Sequence, residues 1–303
     1  MSRIHEALKK AASERNAQAP GESVSDLIEI AGENVAESPD AVAPAVSGKK
    51  SLPASRKSPN PQMEELLRKC QHVEWKIDSR FSAFVNAAQD PTGAEKFRTL
   101  RSRLYQIAST RPLKRILVTS SLPEEGKTFI AANLAQSIIQ QANRRVLLID
   151  ADLRASRLHL SLGAQVAPGL SDYLRGEADE FQIVQVGNEP NLCLIAGGPE
   201  VSNPSELLHS KAMANLLDRL SPLFDWVILD SPPAIAVHDA SILADFCDGV
   251  LFVVRAGATD FELAQKAAGE FDSKRILGVV LNRVDKGEGY PYYYAYTRDH
   301  DKH

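Results

Sequence analysis

Gly126, Lys127 and Thr128 stand in a row at the end of a short segment that follows an apolar run and opens a helix-like stretch. In that context a glycine-containing loop can cradle phosphate: backbone N–H groups and the positive end of a helix meet the anion, the lysine neutralises its terminal charges, and the hydroxyl ligates Mg²⁺. The loop would run Ser120-Ser121-Leu122-Pro123-Glu124-Glu125-Gly126-Lys127-Thr128, so Pro123, Glu124, Glu125, Gly126, Lys127, Thr128 and Phe129 are the expected nucleotide contacts. Ser121 stands where the first glycine of G-x-x-x-x-G-K-[ST] belongs, and taken alone the loop is therefore a weaker signal than the full pattern.

Two further apolar runs end in acids. Val146 to Ile149 leads into Asp150-Ala151-Asp152-Leu153-Arg154, and Trp226 to Leu229 into Asp230-Ser231-Pro232-Pro233. Alternation along a strand would project Asp150 and Asp152 similarly at its C-terminal edge, where carboxylates can hold a metal's water shell or accept a proton. The two prolines force an extended exit and keep Asp230 at its strand end. Each acid alone could be a solvated strand terminus or a helix cap. Three strands ending in the same chemistry point elsewhere, because ligands of an open α/β sheet bind outside the carboxyl ends of its strands. The expected catalytic set is Lys127, Asp150, Asp152 and Asp230, with Thr128, Asp152 and Asp230 around Mg²⁺.

The elements that must position these residues are legible as runs. Ile116–Thr119, Val146–Ile149, Leu192–Ile195, Trp226–Leu229, Val250–Val254 and Ile276–Leu281 are nearly all apolar, as parallel strands buried on both faces should be. Helix-like stretches separate them at Thr128–Gln141, Ser205–Leu220, His238–Phe246 and Phe261–Phe271. The βαβ alternation predicts an α/β fold with a doubly wound, mostly parallel sheet.

Composition bounds the rest. A chain of 303 residues with 44% hydrophobic and 24% charged content can bury a sizeable core. A net charge of −4 offers no basic face for nucleic acid. Cys70, Cys193 and Cys247 are odd in number and far apart, which argues against a disulfide framework or a zinc site and fits a reducing cytoplasm. No run approaches the roughly 18 apolar residues of a membrane-spanning helix, and residues 1–6 lack a signal peptide's apolar region, so any membrane role is expected to come through a partner.

The ends differ from the middle. Ile4, Ala7, Leu8 and Ala11 recur at helical spacing and predict a short amphipathic helix over residues 1–15, either a frayed end or a docking element. The first 74 residues hold no Phe, Tyr or Trp, and six of the 17 prolines fall between Pro20 and Pro61, which reads as a flexible linker over 16–74. A domain over 75–285 follows, then a flexible tail over 286–303. Five of the seven tyrosines lie in that tail, at Tyr290, Tyr292, Tyr293, Tyr294 and Tyr296. Flanked by glycines, Pro291 and charges, they are expected to stay exposed, as binding groups or as phosphate acceptors.

On these residues the chain resembles, from about Asp90 to His303, the bacterial tyrosine kinases of polysaccharide biosynthesis (BY-kinases), P-loop proteins unrelated to eukaryotic protein kinases. Ser120 to Thr128 resembles the family's Walker A loop, Leu147 to Arg154 its Walker A′ motif and Val227 to Pro233 its Walker B motif. Glu95-Lys96-Phe97-Arg98-Thr99-Leu100-Arg101 matches the E-x-x-R-x-x-R oligomerisation motif, and the tyrosine run matches the autophosphorylation cluster. Met1 to Leu8 and the lack of a fused membrane segment resemble the subgroup encoded with exosortase and exopolysaccharide systems. One departure is Glu124, where members usually carry glycine. Glu124 and Glu125 would either weaken ATP binding by repulsion or point to solvent.

The resemblance implies a P-loop NTPase fold, ATP and Mg²⁺ as cofactors, and transfer to the tyrosine tail in trans within a ring. It implies subunit contacts through Glu95, Arg98 and Arg101, although on spacing alone Glu95 and Arg98 are an ordinary helix-surface pair. Asn282, ending the last strand, could contact adenine as in related ATPases or simply cap the strand. Asp150 and Asp152 would divide metal-water binding and acceptance of the tyrosine proton, in either order. Implied partners are a membrane polysaccharide co-polymerase as activator and a tyrosine phosphatase, with the chain peripheral at the inner face of the cytoplasmic membrane. The competing expectations are a membrane-recruited ATPase of the septum-positioning or partitioning kind and a nucleotide-binding regulatory scaffold.

Overall fold

The structure of the protein is a computed structural model, and it describes residues 27–31, 60–85, 87–88, 91–271 and 275–284. The strands are β1 (Leu27–Ala31), β2 (Gln71–His72), β3 (Arg115–Ser120), β4 (Val146–Asp150), β5 (Val184–Val186), β6 (Leu192–Ile195), β7 (Trp226–Asp230), β8 (Gly249–Arg255) and β9 (Ile276–Val284). The helices are α1 (Pro61–Lys69), α2 (Thr92–Thr110), α3 (Lys127–Ile139), α4 (Leu158–Leu162), α5 (Leu170–Leu174), α6 (Glu180–Ile183), α7 (Pro204–Leu208), α8 (Lys211–Leu220), α9 (Asp239–Ala244) and α10 (Phe261–Ala268).

The nine strands among the described residues form one sheet in the order β1-β9-β8-β3-β7-β4-β6-β5-β2. Only β1 with β9 and β5 with β6 pair antiparallel; the other neighbours are parallel. The mostly parallel, doubly wound α/β sheet expected from the apolar runs is therefore present, and all six of those runs are strands. Along β4, Leu147 and Ile149 enter one core and Val146 and Leu148 the other; β7 divides in the same way between Val227 with Leu229 and Trp226 with Ile228. Helices cover both faces, which is why these strands carry no polar alternation. The face with Phe97, Leu100 and Ile130 is roofed by α2, α3 and α4, and the opposite face by α1 and α5 to α10.

Two boundaries differ from the sequence expectation. Ser205–Leu220 is two helices, because Pro204 starts α7 and the Ser210 side chain accepts from Met213 N at 3.4 Å to start α8. The span 16–74, read as linker, contains β1, α1 and β2. Asn60 caps α1 by accepting from Gln62 N at 3.0 Å, Pro61 takes the first position, and Met63 and Leu66 are buried while Glu64 and Arg68 face outward. The proline content that suggested a linker here supplies a helix start. The amphipathic segment 1–15 and the tail 286–303, with its five tyrosines, lie outside the described residues.

Candidate nucleotide site

In the sheet, β3 lies between β8 and β7, and β4 pairs the other side of β7. Ser120, Asp230 and Asp150 thus end adjacent strands, with Asp150 and Asp230 direct register partners. The loop after β3 feeds α3, whose first turn carries Lys127 and Thr128. Gly126 has φ +93°, and a Cβ there would lie 2.0 Å from Asn282 Nδ2, so conformation and space both demand glycine.

Lys127 Nζ donates to Asp152 Oδ2 at 2.9 Å, with the lysine side chain only 13% exposed. Burial works against its charge, but the Asp230 and Asp152 carboxylates outweigh that effect and its pKa rises. Thr128 Oγ1 donates to Asp230 Oδ2 at 2.6 Å, while Asp230 Oδ1 is buried with no partner among the described residues. Burial pushes the Asp230 pKa up, and the Lys127 charge and the Thr128 hydroxyl oppose the rise. Burial, followed by the Asp230 charge, raises that of Asp150.

The two acids after β4 do not project alike. The strand ends at Asp150, so alternation no longer governs Asp152. Asp150 turns into the following loop, where Oδ2 accepts from Ser156 Oγ at 2.7 Å and Leu158 N at 3.0 Å and Oδ1 accepts from Asp152 N at 3.2 Å. Asp152 meets Lys127 with Oδ2 and accepts from Ala155 N with Oδ1 at 3.1 Å. Of the sequence-expected set, Lys127, Thr128, Asp152 and Asp230 converge, and Asp150 stands behind them as an anchor.

The two glutamates of the loop also separate. Glu124 is exposed and has φ +64°, the left-handed backbone that makes glycine the natural residue there. Glu125 is buried: one carboxylate oxygen accepts from Leu122 N at 2.7 Å, the other from the Thr259 hydroxyl, and its carbonyl accepts from Asn282 Nδ2 at 2.9 Å. Burial raises its pKa against the pull of those donors. Asn282, itself buried, also accepts from Arg283 N at 3.0 Å, so its amide braces the loop from beneath. Pro123 is exposed on the loop, and the Phe129 ring lies against Phe97, 5.8 Å between centroids, leaving its backbone as the part that serves the loop.

Sequence reasoning missed Thr259 and Ser156, which act through acids that it did single out. Each is a hydroxyl residue shortly after a strand end, a signal too common to select on. On α2, Glu95 pairs with Arg98 on the exposed surface, whereas Arg101 donates inward to Ser137 O of α3 and its Nε is buried without a partner among the described residues. The motif therefore presents Glu95 and Arg98 outward and holds Arg101 within its own chain.

Residues 116–300 match the family model described as the CobQ/CobB/MinD/ParA nucleotide binding domain. The chain is 37% identical over 221 residues to the tyrosine-protein kinase YwqD of Bacillus subtilis, covering 71% of this chain and 93% of that one. It is 35% identical over 214 residues to the succinoglycan biosynthesis transport protein ExoP of Rhizobium meliloti, covering 69% of this chain and only 27% of ExoP. The kinase domain of Escherichia coli tyrosine kinase ETK superposes with a TM-score of 0.60 at 32% identity, covering 68% of this chain and 82% of that one. At that identity and coverage, and with the loop lysine, the threonine, Asp152 and Asp230 meeting at one point, the chain belongs to the bacterial tyrosine kinases built on the CobQ/CobB/MinD/ParA nucleotide-binding domain.

Proposed function

We propose that the chain is an ATP- and Mg²⁺-dependent protein-tyrosine autokinase that phosphorylates Tyr290, Tyr292, Tyr293, Tyr294 and Tyr296 and thereby regulates exopolysaccharide synthesis and export. The observation that carries this reading is the Lys127–Asp152 contact beside Thr128 and Asp230, which puts a phosphate-neutralising cation next to a carboxylate suited to a proton. The buried, unpartnered Asp230 Oδ1 fits a cation, and a threonine hydroxyl with a carboxylate is a hard oxygen donor set that suits Mg²⁺. Mg-ATP, when bound, supplies the phosphoryl group and the positive charge that offsets its developing charge.

Lys127 stays charged and binds the terminal phosphates. Thr128 and Asp230 would hold the metal, and the loop's backbone N–H groups would hold phosphate oxygens. Asp152 accepts the phenol's proton, which is needed because a phenol's ordinary pKa of about 10 leaves few ionised at neutral pH. Asp150 holds the loop on which Asp152 sits. From Val284 to Tyr296 the chain spans at most roughly 40 Å, and the outward Glu95 and Arg98 support assembly into a ring in which each tail enters a neighbour's site. Repeated phosphorylation adds about −1.5 to −2 charges per tyrosine and loosens the ring by repulsion.

No described helix is long and apolar enough to cross a membrane. A membrane co-polymerase acting as activator would bring the chain to the inner face of the membrane, and a tyrosine phosphatase would reset it. The deciding experiment is mass spectrometry of the full chain after incubation with Mg-ATP, alone and with the co-polymerase's cytoplasmic end, using Lys127→Met as control. Phosphate on the 290–296 tyrosines of the wild type alone supports the kinase. ATP turnover without labelling in either condition would replace it with the ATPase reading.

A further inference from the structure

Arg154 closes the acid-rich turn after β4, yet nothing in the phosphate chemistry above uses it. Its Nε donates to Asp239 Oδ2 at 2.8 Å, and its Nη2 donates to Ser205 Oγ at 2.9 Å and lies 3.4 Å from Asp239 Oδ1. Ser205 Oγ donates to Asp239 Oδ1 at 2.6 Å, so the three side chains form a closed ring. Asp239, the first residue of α9, has a side chain 0% exposed, whereas that of Arg154 is 40% exposed. A buried carboxylate of this kind needs its charged partner.

The ring completes the fixing of one short loop. At its inner end the loop after β4 is tied to Asp150 through Asp152 N, Ser156 Oγ and Leu158 N. At its outer turn Arg154 ties it to α9 and α7. Asp152 lies between these anchors. We propose that the Arg154–Asp239–Ser205 ring is a positioning network for phosphoryl transfer: it holds the loop so that the Asp152 carboxylate stands where the acceptor's proton must be taken. The guanidinium's planar fork sets direction as well as distance, which a lysine's single ammonium cannot do. Proton and phosphoryl transfer are steeply sensitive to such placement. The inference rests on the kinase reading and deepens it.

The test uses the full chain with Mg-ATP. Initial rates of phosphotyrosine formation and of phosphate release are measured against ATP concentration, with affinity for a fluorescent ATP analogue and the thermal midpoint measured alongside. The variants are Ser205→Ala, Arg154→Lys, Asp239→Asn and the pair Arg154→Met with Asp239→Leu. The pair keeps the fold testable, because charge and counter-charge leave together. It should melt near the wild type and bind the analogue within about twofold, while its kcat falls by about tenfold or more. Arg154→Lys should fall between the pair and the wild type. A pair variant with wild-type kcat, or one whose nucleotide affinity falls in step with its rate, overturns the proposal. A wild type that releases phosphate without labelling itself ends the kinase reading instead, and the same comparison is then read on phosphate release, where Asp152 would orient water.

Discussion

Lys127 Nζ and Asp152 Oδ2 are 2.9 Å apart, so the cation meant for phosphate and the carboxylate meant for a proton neutralise each other. Nucleotide phosphates that draw the Lys127 ammonium away from Asp152 leave that carboxylate free to meet the phenol. Asp152→Asn should therefore lower the labelling rate by about 10² or more while leaving nucleotide affinity equal or tighter. Fluorescent-nucleotide titration beside phosphotyrosine rates checks this. A parallel loss of both would place Asp152 in ATP binding and not in proton transfer.

Two changes in the phosphate loop should act in opposite directions. Gly126→Ala puts a Cβ 2.0 Å from Asn282 Nδ2 at φ +93° and should abolish nucleotide binding with a lowered thermal midpoint. Glu124→Gly relieves a left-handed non-glycine residue, worth about 1 kcal/mol before glycine's own entropy is counted. It also removes an exposed negative charge near the phosphates. A several-fold tighter ATP analogue, with unchanged or slightly higher melting, is the expected result.

The pH dependence of stability has a definite sign. Burial raises the pKa values of Glu125, Asp150 and Asp230, so the folded chain binds these protons more tightly than the unfolded chain. Their contributions favour folding at low pH and are lost as pH climbs from the ordinary carboxylate range through the raised values. Glu125→Gln can still accept from Leu122 N and pair with the Thr259 hydroxyl while carrying no charge. The urea midpoint of the variant relative to wild type should rise as pH climbs above the ordinary carboxylate range. A constant difference over that climb would contradict it.

Arginines three residues apart on α2 should separate folding from assembly. Arg101→Ala removes the bond to Ser137 O and should cost about 1–2 kcal/mol of stability. Arg98→Ala breaks only an exposed pair and should stay within about 0.5 kcal/mol. Light scattering after size exclusion should show that Arg98→Ala shifts the chain toward smaller species without changing its melting. A ring that survives Arg98→Ala would put the subunit contact elsewhere.

Much was decided by local physics. Six of the nine described strands were legible because a parallel strand buried on both faces has almost no polar residue to confuse the pattern, whereas β1, β2 and β5 are short and at or near the sheet edges and went unread; the phosphate loop and the acids at the strand ends were legible because their chemistry is packed into a few consecutive residues. The direction in which each acid points was not. The Glu125 carboxylate turns inward because the Thr259 hydroxyl, 134 residues away, meets it there, while Asn282, 157 residues away, holds its backbone carbonyl. Asp150 rather than Asp152 became the anchor because β4 ends at Asp150 and its loop folds back onto that carboxylate. Arg101 left the surface because the carbonyl of Ser137 lies within its reach. The sequence by itself determined the layered sheet, the nucleotide loop and which residue types gather at its edge; only the tertiary structure decided which of those side chains face the nucleotide and which hold the others in place, since hydrogen-bond partners distant in the chain are set by packing and not by spacing.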